Sequence, residues 1–383
     1  MVTPDPLSRL RERVRVRADP VAEPAALLAI DLDAIAANWR DLVRRHPSGP
    51  VAAVVKADAY GLGAAPVARR LIAEGARHLF VATLEEALAL RGIVPREALL
   101  AVLDGLVPGA EAEAAAAGIV PVLSDLGALG RWRACADARG ERLAALLHID
   151  TGMNRLGFGR REVERLAQDP APLGALDLRY VMTHFVASEE PDNPLNEEQL
   201  RRFDALRAML PAAPTSVANS SGIFLGPLAA SDLARPGAAL YGINPTPGCA
   251  NPMRTVVTLE ARILQVREIE PGESVGYNAT WVAARPSRIA TVAAGYADGY
   301  LRSLSGRGAG RVAGRQVPLA GRVSMDLLTF DVTDAPEAAP GGWVRLLGPD
   351  LPPDAVAERA GTNAYEILTA LGARYRRHYH GQA

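Results

Sequence analysis

The chain has 383 residues, 49% hydrophobic and 22% charged, the composition of an ordinary soluble protein long enough for one large domain and a smaller one. Its 42 basic and 43 acidic side chains leave a formal net charge of -1, which excludes the electrostatic footprint of a nucleic-acid or anionic-membrane binder. Two cysteines, Cys135 and Cys249, exclude a disulfide framework and a four-cysteine zinc site, and suit reduced thiols in a cytoplasmic protein.

Residues 1–24 read as a polar extension. Arg9, Arg11, Arg13, Arg15 and Arg17 make it basic, yet no apolar secretory core or cleavage site follows, and Asp5, Glu12, Asp19 and Glu23 argue against a transit peptide. From Asp31 to His46 apolar residues recur at helical spacing through Leu32, Ile35, Ala36, Trp39 and Leu42. Candidate strands then fall at 51–56, 78–82, 98–103, 119–123, 144–149, 178–184, 215–219 and 237–241. The segments between them, such as 67–76, 84–92, 110–117 and 196–210, are rich in Ala, Leu, Glu and Arg and read as helices. Eight strand–helix units predict an α/β fold, a (β/α)8 barrel of the TIM type over residues 25–250. An open doubly wound sheet produces the same alternation.

Beyond residue 250 the pattern changes. Short strand-like segments at 254–269, 274–281, 287–294, 311–319, 325–332 and 342–347 are separated by turns such as Pro271-Gly272 and Pro340-Gly341-Gly342. They predict a mainly β C-terminal domain over 251–383. Residues 355–375 return to helical spacing, and the polar end RRHYHGQA, with His378 and His380, reads as a frayed tail. No stretch reaches the roughly 20 uncharged apolar residues of a membrane span.

The stretch 54–64, VVKADAYGLGA, carries the most chemistry. It sets Lys56 at the end of a continuously apolar strand, followed by Gly61 and Gly63, where α/β proteins build active sites. A lysine desolvated there loses basicity and offers a neutral amine for covalent chemistry; a lysine that merely reaches solvent is the ordinary alternative. Four more stretches end the other candidate strands: HIDTGMNRLG at 148–157, MTHF at 182–185, ANSSG at 218–222 and RPGAALYG at 235–242. In the C-terminal region VGYNATW at 275–281, GYADGY at 295–300, GRVSMD at 321–326 and NAYEI at 363–367 stand out in the same way.

In the order and spacing of these stretches the chain resembles the alanine racemases, from Leu28 to Tyr375. The resemblance implies a pyridoxal 5'-phosphate enzyme with a barrel and a β domain, active as a head-to-tail homodimer in which each β domain completes the other subunit's site. It implies that Lys56 is the Schiff-base lysine and one catalytic base, and that Tyr277 is the second base. Tyr60, Ser220, Asn219, Gly237, Ala238 and Tyr365 would hold the cofactor, chiefly at its phosphate, for which backbone amides at strand-to-helix turns are suited. Arg235 would face the pyridine nitrogen, where a guanidinium that keeps its proton leaves the ring a weaker electron sink than an Asp partner would. His184 would lie beside Tyr277, whose ordinary pKa of roughly 10 needs nearby positive charge to bring it down. Arg155 would hold the phenolic oxygen and the substrate carboxylate, Met325 would offer a backbone amide to that carboxylate, and Tyr296 would narrow the entrance.

One position departs from the pattern. Where many relatives carry a carbamylated lysine three residues before the TGM run, this chain has His148, and imidazole forms no comparable anion, so another anion or carboxylate must orient Arg155. Ser324, where some relatives carry cysteine, is a smaller departure. The expected activity is interconversion of L-alanine and D-alanine by two bases, supplying D-alanine for peptidoglycan, with no metal. A broader amino-acid racemase differs only in pocket size, worth roughly 1–3 kcal/mol per methylene. A barrel decarboxylase lacks its usual glycine triplet here, and a non-catalytic pyridoxal-phosphate carrier would leave the β domain and Tyr277 unexplained.

Overall fold

The computed structural model describes residues 24–381; the extension expected at 1–24 lies, apart from Pro24, outside the described residues. Strand β1 (Ala26–Asp31) leads into a helix, Leu32–Arg45, whose N-terminus is capped by the Asp31 carboxylate accepting from the Ala34 amide at 2.8 Å. Seven strands follow in one parallel sheet, in chain order: β2 (Ala53–Val54), β3 (His78–Val81), β4 (Leu99–Val102), β5 (Val120–Leu123), β6 (Leu143–His148), β7 (Leu176–Met182) and β8 (Thr215–Ser216). Every residue of β4 and β5 is buried, as befits a parallel sheet covered on both faces.

The sheet curls until its two edges meet one segment of chain. Leu233 forms a parallel bridge with Ser216, and Ala234 forms one with Val51. The Ala52 amide donates to the Ala234 carbonyl at 2.8 Å, and the Val54 amide to the Pro236 carbonyl at 3.1 Å. The strand expected at 237–241 is therefore corrected: the bridged segment ends at Pro236, and Ala238–Tyr241 is a 3-10 turn. The misreading has a plain cause, since an apolar run buried on all sides has the same pattern as strand or as helical turn.

The second sheet has eight strands, in the order β14 (Arg315–Pro318), β13 (Ala309–Val312), β16 (Trp343–Leu347), β9 (Val257–Ile269), β1 and β17 (Arg376–His380). Off this path, β12 (Ser287–Val292) pairs with β9 and with β15 (Leu328–Asp331). Strand β1 pairs antiparallel with β9 and parallel with β17. Here one expectation is corrected: the expected frayed tail is β17 itself, with Arg377 opposite Leu28. A separate hairpin joins β10 (Ser274–Val275) to β11 (Trp281–Val282). One apolar core runs through both halves, from Leu28 and Trp39 through Phe80, Leu146 and Tyr241 to Phe330 and Leu368. Among the described residues no helix is long and apolar enough to cross a membrane.

Candidate active site

A cavity of about 570 Å³ opens at the C-terminal ends of the parallel strands. Lys56 lines it, two residues beyond the end of β2 and half-buried. The next four residues, Ala57, Asp58, Ala59 and Tyr60, have φ of 52, 53, 54 and 56°. Four successive residues with Cβ in the left-handed region are rare, because each disfavours it by roughly 1–2 kcal/mol. The turn brings Lys56 and Tyr60 to the same cavity.

In the same cavity the segments after β8 and at 235–241 form a cradle of polar groups. The Ser220 hydroxyl accepts from the amides of Gly237 at 3.0 Å and Ala239 at 3.2 Å. A Cβ on Gly237 would lie 2.2 Å from the Tyr60 hydroxyl, so close approach, not a positive φ, demands glycine there. Tyr60 stacks on Tyr241 at 4.7 Å between ring centroids and neighbours Tyr365 at 6.1 Å. Burial pushes the Tyr60 hydroxyl up to about 12 and that of Tyr365 above its ordinary value. Tyr365 donates to the Glu189 carboxylate at 3.0 Å. The Asn219 side-chain oxygen accepts from the Gly222 amide at 2.8 Å and the Ser188 hydroxyl at 2.9 Å. Asn219 thus caps the following turn while still lining the cavity with Ala238.

The floor of the cavity is cationic. Arg235 is buried, its guanidinium donating to the Ser216 hydroxyl and, at 2.7 Å, to the Thr183 carbonyl. Burial lowers its pKa to about 10, which leaves it protonated at neutral pH. His184 and His148 share that wall. Burial first, and the positive charge of Arg235 second, push His184 down to about 3 and His148 to about 4, so both rings are neutral near pH 7. His148 consequently provides no anion for Arg155, which is exposed along the cavity wall.

Asp150 shapes the loop that carries Arg155, and sequence reasoning overlooked it. Its carboxylate accepts from the amides of Gly152 at 2.9 Å, Met153 at 3.0 Å and Asn154 at 3.1 Å. The DTGMN sequence is the signal that could have revealed this, since Asp favours such turns onto its own backbone. Gln199 was also missed: buried, it donates to the Thr151 hydroxyl and the His184 carbonyl, both at 3.0 Å.

Tyr277, Tyr296 and Met325 do not line this cavity. They are exposed by 67%, 41% and 53%, and Tyr277 and Met325 share a shallow hollow of about 360 Å³ on the β half. The two loops are stitched together, the Tyr296 amide donating to the Ser324 carbonyl at 3.0 Å and the Ala297 amide to the Met325 carbonyl at 2.9 Å. Arg374 forks across them, with Nε to Asp298 at 2.6 Å and Nη1 to Asp326 at 2.7 Å. Lys56 and Arg235 thus line one cavity, and Tyr277 of the same chain lines another.

A curled α/β sheet with a lysine at a strand end, flanked by an antiparallel β half that presents exposed polar side chains, defines a class of lysine-centred enzymes. Residues 30–245 match the alanine racemase N-terminal domain and residues 256–379 the alanine racemase C-terminal domain. An alanine racemase from Acidiphilium cryptum is 57% identical over 91% of this chain and 97% of its own length. One from Rhodospirillum rubrum is 54% identical over 93% and 96%. Among solved structures, alanine racemase from Bartonella henselae with covalently bound pyridoxal phosphate superposes with a TM-score of 0.91 at 38% identity, covering 93% of this chain and all of that one. The chain belongs to the alanine racemase family.

Proposed function

We propose that this chain is a cytoplasmic, pyridoxal-phosphate-dependent alanine racemase that interconverts L-alanine and D-alanine as a head-to-tail homodimer, supplying D-alanine for peptidoglycan. The observation that carries the reading is Lys56 in one cavity with buried Arg235 and the Tyr60–Ser220–Gly237 cradle. The parallel sheet is read as a closed barrel with 233–236 as its eighth member, because the bridges at Leu233 and Ala234 reach both edge strands. The barrel unit is assigned to 25–250 and the β unit to 251–383, with β1 lent to the latter's sheet.

The residues present suit the cofactor: an amine on Lys56, hydroxyls and amides at Ser220, Gly237 and Ala238 for a phosphate, and a fixed cation at Arg235 for a ring nitrogen. Bound there, pyridoxal phosphate supplies an aldehyde that joins an amino acid and an electron sink that acidifies its α-hydrogen. Tyr60, Tyr365 and Asn219 complete the phosphate end. Lys56 holds the cofactor and moves a proton on one face of the substrate α-carbon. Arg235, retaining its own proton, gives none to the ring and so favours rapid proton return over other outcomes. Neutral His184 sits beside it without adding charge. Arg155 holds the substrate carboxylate.

Tyr277 of the partner subunit moves the proton on the opposite face, its Met325 amide meets the substrate carboxylate and its Tyr296 narrows the entrance. Their exposure on one face of the β half, away from the chain's own cavity, supports this arrangement. The test is incubation of the enzyme with L-alanine or D-alanine in deuterated water. Each enantiomer is expected to become a racemic mixture deuterated at Cα, faster than serine or lysine does; no exchange would leave a cofactor carrier, and equal rates would make it a broad amino-acid racemase.

A further inference from the structure

The left-handed turn after Lys56 needs an anchor, because residues with Cβ do not hold that conformation unaided. One end is tied by the C-terminal strand: Arg377 donates to the Gly61 carbonyl at 3.0 Å and the Tyr379 hydroxyl to the Leu62 carbonyl at 3.1 Å. The other end, directly against Lys56, is tied by Glu86. One carboxylate oxygen accepts from the Ala57 amide at 2.6 Å and the other from the Ala82 amide at 2.8 Å.

Glu86 reaches these amides from an unusual use of a common device. The helix Leu84–Leu90 opens on Thr83, whose hydroxyl accepts from the Glu86 amide at 3.4 Å. Thr83 and Glu86 therefore stand where a capping box has its two members, in which the glutamate turns back to the amide of the cap residue itself. Here it passes that amide by, takes the one before it and spans the gap to Ala57. The diversion joins the end of β3 to the first residue of the turn that displays Lys56 and Tyr60.

We propose that Glu86 is a positioning residue for Lys56: its carboxylate pins the Ala57 amide, holding the left-handed turn so that the Lys56 amine and the Tyr60 hydroxyl face the cofactor cavity together. The proposal rests on the reading of Lys56 as the cofactor lysine. A charge-assisted bond to a backbone amide is stronger than a neutral one, and Glu86→Ala removes two of them.

The test is titration of pyridoxal phosphate into cofactor-free protein, read by the visible absorbance band, for wild type, Glu86→Ala, Glu86→Gln and Thr83→Ala, with thermal unfolding of each cofactor-free protein alongside. Glu86→Ala is expected to weaken cofactor binding about 10- to 100-fold, the range for hydrogen bonds to a charged group. Glu86→Gln, which keeps one acceptor oxygen, is expected to lose less. Thr83→Ala loses the helix cap and unfolds at a lower temperature, yet binds the cofactor as wild type does. Unchanged affinity in Glu86→Ala overturns the proposal, as does an equal loss in Thr83→Ala, which would reduce Glu86 to helix stability. Should Glu86→Ala fail to fold, Glu86→Gln against Thr83→Ala decides by the same comparison. Absence of the band in wild type would instead overturn the cofactor reading.

Discussion

Replacing His148 by Asn should make the protein more resistant to acid. His148 is buried and its pKa is pushed down to about 4 by burial first and by Arg235 second, whereas an unfolded histidine titrates at about 6.5. Above pH 6.5 the ring is neutral in both states and contributes nothing to the pH dependence. As pH falls below 6.5 the unfolded chain takes up a proton that the folded chain refuses, so stability declines through that window and levels off below about pH 4. Between pH 7.5 and 4.5 the loss from this one group comes to about 2–3 kcal/mol, at 1.36 kcal/mol per pKa unit. The assay is urea unfolding at fixed protein concentration for wild type and His148→Asn across that range. The difference between their unfolding free energies should shift in favour of the variant by that amount on acidification; curves that fall in parallel would refute the reasoning.

Gly237→Ala should disturb the cradle, since its Cβ would lie 2.2 Å from the Tyr60 hydroxyl, with destabilisation of about 1–3 kcal/mol. Thermal unfolding of the cofactor-free protein should show this loss partly recovered in Gly237→Ala/Tyr60→Phe, because the Tyr60 ring carbon Cζ still lies 3.0 Å from that Cβ. Arg235→Lys should lose one of the two buried bonds to Ser216 and Thr183, lowering stability by about 1–3 kcal/mol in chemical denaturation and lowering racemisation in the same preparation. Arg374→Met removes the fork to Asp298 and Asp326. It should therefore reduce the racemisation rate while cofactor absorbance is retained; an unchanged rate would show that the two loops need no clamp.

Much of the architecture is legible in the chain because buried parallel strands announce themselves as continuous apolar runs, as at Val51–Val55 and Leu99–Val102. Closure was misplaced for the opposite reason: Ala238–Tyr241 is equally apolar but turns, and the bridged residues Leu233 and Ala234 form too short a run to be seen. The membership of Ala26–Asp31 and Arg376–His380 in one sheet joins chain ends some 350 residues apart, and no local pattern records such a pairing. Lys56 stands out from the residues alone, at the end of an apolar run, whereas Arg235, Ser220, Gly237 and Tyr60 draw attention only through the resemblance to the alanine racemases. Asp150, Glu86, Gln199 and Arg374 escaped because each acts on other residues' backbone or charges, and charged or amide side chains of that kind are usually solvated.

Subunit mixing tests directly the proposal that the two bases come from different subunits. Lys56→Ala and Tyr277→Phe should each be nearly inactive alone. Unfolded together in equal amounts and refolded, they should form mixed dimers in which one site of the two has both Lys56 and the partner's Tyr277, restoring roughly a quarter of wild-type racemisation per total site, as random pairing in a two-fold dimer requires. Activity no higher in the mixture than in either variant refolded alone would contradict the shared site.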